Sequence, residues 1–164
     1  MKNSMWKVRS SAVVLAVVLA AGGAAAQTPK QVQKAELLLR ESRALTTAWV
    51  YLELANANYG GHRGKAMKEL EAAVRSLNAG VAKNGTAQQK AVATSDDIAA
   101  ARVKFLREHA PGVTNPQVLS NLYLKQAGVI LLQLRPKIIQ LKQPRILKRV
   151  DTALKHIALA QKVK

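Results

Sequence analysis

The fold is decided by residues 28–85, which read TPKQVQKAELLLRESRALTTAWVYLELANANYGGHRGKAMKELEAAVRSLNAGVAKNG. In the first half of this stretch, the residues that would share one helical face recur every three or four positions. They are Val32, Ala35, Leu39, Ser42, Leu45, Trp49, Leu52, Asn56 and Tyr59. This period predicts a single amphipathic helix of about eight turns. Thr28 followed by Pro29 is typical of a helix start, with threonine as the cap and proline as the first helical residue.

The second half of this stretch predicts another helix, joined to the first by a tight turn. Gly60-Gly61 should end the first helix, because glycine adopts the left-handed conformation without steric cost. The inward face of the second helix is Ala66, Leu70, Ala73, Val74, Leu77 and Val81, and Lys83-Asn84-Gly85 should stop it. A connection this short predicts an antiparallel helical hairpin.

The next segment continues the helical pattern more weakly. Residues 86–95 are polar and rich in alanine, and their sequence fits a linker or a weak helix. Ser95 with Asp96 and Asp97 predicts the start of a third helix, since acids are favourable in a first turn. Pro111-Gly112 should end that helix.

Two further helices are predicted in the last third of the chain. Asn115-Pro116 begins the fourth, and its run from Val129 to Leu132 has no polar face, so this helix should be the most buried. Pro136 should kink or split it. Pro144 starts a last helix with Ile146, Leu147, Val150, Ala153, Leu154 and Ile157 facing inward.

Together these elements predict an all-α fold, an antiparallel bundle of four to five helices. We expect one domain over 27–164, composed of the hairpin at 27–85, the linker at 86–95 and the remaining helices at 96–164.

The sequences of the second and last predicted helices are similar at an offset of 80 residues, and we call this similarity the internal echo. Lys65-Ala66-Met67-Lys68 aligns with Arg145-Ile146-Leu147-Lys148, and Leu70 aligns with Val150. Identities are few, and any two amphipathic helices can be aligned this way. Both a duplicated hairpin and a chance match therefore stay open.

The N-terminus has the pattern of an export signal. A basic opening at residues 1–9 is followed by an uncharged apolar run at 12–21 and by the small residues Ala24-Ala25-Ala26. We predict a signal peptide over 1–26 with cleavage after Ala26, and hence a periplasmic or secreted protein. An uncleaved anchor is the alternative, but a membrane-spanning helix needs about 20 apolar residues.

The charge of the remaining chain is strongly positive. Residues 27–164 hold 23 Lys and Arg against nine Asp and Glu, a net charge of +14. This predicts an anionic envelope partner, either lipid headgroups, polysaccharide or an acidic protein, although a merely solvated basic face is the alternative. Export makes nucleic acid an improbable partner in vivo, and no transmembrane span is expected after signal cleavage. The chain has no Cys, which excludes disulfides and thiolate metal sites.

The turn between the first two helices carries a distinctive box, Gly60-Gly61-His62-Arg63-Gly64-Lys65-Ala66. The stretch from Ala55 to Leu77 resembles a group of small exported bacterial proteins that carry a GGHxxKA box between two helices. The resemblance implies no activity, because that group is uncharacterised. A structural role also explains the box: the glycines turn the chain, His62 caps the second helix, and Gly64 lets the helices approach closely.

A functional explanation of the box is an anion site formed by Gly61, His62, Arg63 and Lys65. Cations in a first helical turn are unfavourable unless an anion is bound there, and free backbone N–H groups at a helix start bind phosphate, sulfate or carboxylate. A second basic cluster, Arg145, Lys148 and Arg149, repeats the arrangement at the start of the last helix.

Other chemistries lack a sequence signature. His62, His109 and His156 lie in separate segments and form no ligand pair at helical spacing, so no metal site and no cofactor are predicted. No nucleophile motif or phosphate-binding loop is present, and we predict that the protein is not an enzyme. The leading expectation is a non-enzymatic binding or scaffold protein of the cell envelope. The alternatives are a small-anion binder near His62 and, less favoured, a haem or metal carrier.

Overall fold

The computed structural model describes residues 27–56, 59–94, 103–104 and 115–163. Five α-helices account for most of these residues, and no strand occurs among them. The helices are α1 (Pro29–Leu54), α2 (His62–Asn84), α3 (Ala87–Thr94), α4 (Pro116–Gln140) and α5 (Pro144–Ala160). The prediction of an all-α bundle is confirmed. The helix predicted to start at Ser95 lies outside the described residues apart from Val103 and Lys104, which are helical.

Capping residues fix the helix starts where the sequence predicts them. The Thr28 side chain accepts a hydrogen bond from the backbone N–H of Gln31, and the Gln31 side chain accepts one from the Thr28 backbone in return. Asn115 caps α4 by accepting from the N–H groups of Gln117 and Val118. The segment at 86–95 is helical over Ala87–Thr94, as the weak-helix alternative predicts.

Four long helices form a ring in which every neighbouring pair is antiparallel. Helix α1 packs against α2 and α4, and α5 completes the ring by packing against the same two helices. Asn56, just beyond the end of α1, bonds Ser120 near the start of α4, and Glu69 of α2 pairs with Arg149 of α5. Helices α2 and α4 therefore run in the same direction.

The core lies between these four helices and consists mainly of leucine and alanine. Its fully buried side chains include Leu45, Leu52, Leu70, Leu77, Leu124, Leu131, Leu134 and Ile138. Gly80 lies where α1 and α2 meet: a Cβ atom added there would stand 2.8 Å from Leu38 Cδ1. Most of the predicted inward faces of α1, α2 and α5 are confirmed, including Ala35, Leu70 and Val150.

Three findings correct the expectations for individual residues. Helix α4 continues through Pro136 to Gln140, so of the two expected outcomes, a kink or a division, the division does not occur. Helix α4 is not wholly buried, because Val129 and Leu132 are 39% and 60% exposed. Glu41, which is not part of the predicted inward face of α1, is 1% exposed. None of the described helices is long and apolar enough to cross a membrane.

The internal echo has a geometric counterpart. Glu69 and Arg149 are 80 positions apart in the chain, and they form an ion pair at 2.9 Å. In an antiparallel pair of repeated helices, a residue meets its own equivalent only near a two-fold axis relating the repeats. Any antiparallel pair of helices has one such meeting position for a given offset, so the contact is compatible with a duplicated hairpin and with a chance match alike.

Candidate functional site

The turn between α1 and α2 depends on two glycines in the left-handed region. Gly60 has φ of 58° and Gly61 has φ of 72°, and Gly61 is the N-cap of α2 without any side-chain cap. His62 is the first helical residue and does not cap the helix. Helix α1 ends at Leu54, earlier than the period predicts, and Ala55 is extended. A Cβ atom at Gly64 would meet nothing within 4 Å, so this glycine does not serve a close helix approach.

Tyr59 ties the turn to the start of α4. Its side chain is buried, and its hydroxyl donates to Ser120 Oγ at 2.7 Å or to Asn121 Oδ1 at 2.9 Å. The amide of Gln117 donates to the same hydroxyl at 3.1 Å. The turn is thereby held against a helix that is about 60 residues further along the chain.

Arg63 closes the C-terminal end of α1. Its Nη1 atom lies 3.1 Å from the carbonyl oxygen of Leu52, 3.2 Å from that of Glu53 and 3.1 Å from that of Ala55. The Glu53 carboxylate is 3.8 Å away. A cation at a helix C-terminus satisfies carbonyls that have no intrahelical partner. The guanidinium is therefore directed at α1 and not at the start of α2.

His62 meets His156 of α5 across the bundle. Their Nδ1 atoms are 3.3 Å apart, and their rings stack with centroids 5.5 Å apart. For a hydrogen bond between these atoms, one ring must carry the Nδ1 proton while the other is neutral and accepts it. Burial lowers the pKa of His156, and the positive charges of His62, Lys65 and Lys155 lower it further, against an opposite effect of Glu69.

The second predicted cluster lies elsewhere on the molecule. Arg145 and Lys148 are exposed, whereas Arg149 is paired with Glu69. Arg145 is eleven residues before His156, which corresponds to about 16 Å along α5. Of the predicted anion-site residues, the structure thus keeps Gly61, His62 and the exposed Lys65 together at the start of α2. It adds His156, and it directs Arg63 away.

Arginines supply the cation in four ion pairs of the described residues, although Arg43, Arg75 and Arg145 are exposed. Four acidic side chains are paired with arginines: Glu41 with Arg40, Glu53 with Arg63, Glu69 with Arg149 and Asp151 with Arg135. Many lysines, in contrast, are exposed on the helices, among them Lys34, Lys65, Lys125, Lys137, Lys148 and Lys155. No cluster of three or more potential metal ligands occurs in the part of the chain that the structure describes.

Two features of the site are not indicated by the amino-acid sequence. The His62–His156 contact follows from the packing of α2 on α5, and nothing local in either segment indicates it. The capping role of Arg63 depends on α1 ending at Leu54, whereas the apolar period continues to Tyr59.

No protein family, curated protein or solved structure matches this chain.

Proposed function

We propose that this chain is an exported, non-enzymatic binding protein of the cell envelope, and that its lysine-rich surface contacts an anionic partner. One observation carries the proposal: arginines pair with four acidic side chains, while exposed lysines, together with Arg43, Arg75 and Arg145, supply the excess positive charge. The hairpin of α4 and α5 is the preferred contact region. From Ala110 onward the chain has ten basic residues and one acid, Asp151.

The binding proposal is tested by measuring the affinity of the purified protein for three probes. These are vesicles of phosphatidylglycerol and phosphatidylcholine, an acidic polysaccharide such as polygalacturonate, and poly-glutamate. We expect the affinity for one probe to fall steeply with added salt, because exposed charges are screened within a Debye length of about 10 Å at 0.1 M. A triple variant with Lys137, Lys142 and Lys148 changed to Gln should bind weakly.

A matched triple variant provides the control for overall charge. Lys30, Lys34 and Lys83 lie on α1 and α2 and are exposed, and their change to Gln lowers the net charge equally. This variant should retain most of the binding. Equal loss in both variants would show that no particular face is used, and absence of binding to all three probes would refute the proposal.

The export part of the proposal has its own test. Intact-mass measurement of the protein from its native envelope fraction should give a chain that begins at Gln27. A chain that retains residues 1–26, or recovery in the cytoplasm alone, would contradict it.

A small-anion site at the start of α2 is less favoured as a function. Three carbonyl groups of α1 accept hydrogen bonds from Arg63, which leaves Lys65 as the exposed cation of the predicted set. Millimolar phosphate should therefore leave the amide resonances of Gly61 and His62 unmoved.

A further inference from the structure

Helix α4 has a second apolar face that points away from the core. Its inner face is buried and includes Leu124, Leu131 and Ile138. Its outer face carries Val118, Leu122, Val129, Leu132 and Ile139, which we call the outer stripe. Val118, Leu132 and Ile139 are 54%, 60% and 50% exposed. Among the described helices, α4 packs on α1 and α5, and neither covers this stripe.

The spacing of the outer stripe is that of a coiled-coil seam. Lys125 and Pro136 complete the series, so that successive positions from 118 to 139 alternate between four and three residues apart. This gives a period of 3.5 residues over about 32 Å of helix. A narrow stripe with this period fits the apolar face of a second helix, which inserts its side chains between those of the first.

The charges around the stripe are positive. Helix α4 contains no acidic residue, Lys125 lies within the stripe, and Lys137 is exposed beside it. Arg135 is held by Asp151 at 2.8 Å. Gln126, Gln133 and Gln140 each follow a stripe position directly, as Lys137 does, so this edge carries uncharged polar side chains beside that lysine.

We propose that the outer stripe docks an amphipathic helix of another protein, whose apolar seam packs on α4 and whose flanking residues are acidic. This inference rests on the proposed function, since it names an acidic protein as the anionic partner. A second copy of this chain fits less well, because its α4 also carries Lys125 and Lys137 and has no acidic residue to neutralise these cations. A bilayer fits less well too, since the stripe is narrow and lacks the aromatic residues of interfacial helices.

The test uses synthetic peptides of about four heptads, with leucine at the seam and either Glu or Lys at the flanking positions. We expect the Glu peptide to bind the intact protein and the Lys peptide not to bind. Leu132→Gln should weaken binding of the Glu peptide by about tenfold or more, because a large apolar side chain loses its burial. Val163→Gln is the matched control: Val163 is 37% exposed outside the stripe, and its change should have little effect.

A second pair of variants separates local from overall charge. Lys125→Glu and Lys34→Glu change the net charge equally, but only Lys125 lies in the stripe. Lys125→Glu should weaken binding of the Glu peptide about tenfold more than Lys34→Glu does. Circular dichroism of each variant verifies that the bundle is intact.

Three outcomes would overturn the inference. Sedimentation could show a dimer that Leu132→Gln dissociates, which would assign the stripe to a second copy. Flotation could show vesicle binding that Leu132→Gln abolishes while the Glu peptide does not bind, which would assign it to a bilayer. Equal peptide binding by Leu132→Gln and the unchanged protein would remove the stripe from the interaction. In this last case, salt-sensitive binding to the lysine surface would still support the proposed function.

Discussion

The Nη1 atom of Arg63 lies 3.1 Å from the carbonyl oxygen of Leu52, so that a side chain in the first turn of α2 caps the last turn of α1. Two more α1 carbonyls accept from the same atom. One planar guanidinium therefore replaces the hydrogen bonds that the next helical turn would have made.

Arg63→Lys should destabilise the protein by about 1–2 kcal/mol, because the lysine side chain is shorter and its ammonium falls short of the three carbonyls that Arg63 Nη1 contacts. The measurement is urea denaturation followed by circular dichroism. Arg75→Lys is the matched control, since Arg75 is exposed on the same helix, and it should change stability little. Equal stability of Arg63→Lys and the unchanged protein would contradict the capping role.

Tyr59→Phe removes a buried hydroxyl that joins the turn to α4. Ser120 and Gln117 then lose a partner, and we expect a loss of about 1–2 kcal/mol in the free energy of unfolding. Tyr51→Phe is the control, because within the described residues the Tyr51 hydroxyl has no hydrogen bond and its ring contact with Tyr123 is retained. A comparable loss in both variants would mean that the Tyr59 network contributes nothing specific.

The two glycine positions of the box should respond to alanine in opposite directions. Gly61→Ala places a side chain at φ of 72° and should destabilise by about 1 kcal/mol. Gly64→Ala enters open space within α2 and should stabilise by about 0.5–1 kcal/mol through helix propensity. Thermal denaturation of both variants checks the pair. A destabilised Gly64→Ala would contradict the open space that surrounds this position.

Glu41 is a buried carboxylate that the fold satisfies only in part. Arg40 bonds its Oε1 atom at 2.7 Å, while Oε2 is buried without a hydrogen bond. Glu41→Met should raise the free energy of unfolding by about 1 kcal/mol, because the desolvated charge is removed and Arg40, which is 60% exposed, stays hydrated. Glu36→Met, at an exposed position of the same helix, should give no such gain.

The stability of the protein should fall as the pH is lowered through the range in which His156 titrates. Its pKa in the folded protein lies below the ordinary value of 6.5, mainly because of burial. The unfolded chain then binds more protons between the folded pKa and 6.5, so stability rises with pH across that window and is lost below it.

The melting temperature should therefore drop less between about pH 7.5 and pH 5 in His156→Gln than in the unchanged protein. The two proteins differ only at position 156, so the difference between their changes in melting temperature reports on His156 and its contact with His62. An identical drop in the two proteins would show that the His62–His156 contact does not contribute.

Much of the secondary structure is predictable because its causes are local. Thr28-Pro29 and Asn115-Pro116 act through caps within four residues, and the period of three or four positions fixes the inward faces of α1, α2 and α5. Burial of Glu41 was also within reach: Leu38, Leu45, Ala48 and Leu52 form a second stripe around α1 that includes position 41. The prediction followed only the stripe through Val32 and Leu39, and so it missed Glu41. Helix α1 packs against two helices and therefore buries a wider face than either stripe alone defines.

The candidate site was only partly predictable. Gly60 and Gly61 at the turn were expected, since a positive φ favours glycine whatever surrounds it. The direction of the Arg63 side chain was not, because its carbonyl partners become available only where α1 stops. The exposure of Leu132 was likewise hidden, since a run without a polar face predicts burial and does not reveal that no described helix lies against it.

By itself, the sequence determined which segments are helices, that Thr28 and Asn115 cap two of them and that the helices form a bundle, because hydrogen bonds and side-chain spacing within one turn decide these features. The tertiary structure alone decided that α2 lies against α5, that His62 meets His156, and that α4 leaves an apolar stripe uncovered. These outcomes depend on which amphipathic faces pack together across large sequence separations. Many pairings of such faces bury similar apolar area, so the choice among them appears only when all the helices are packed at once.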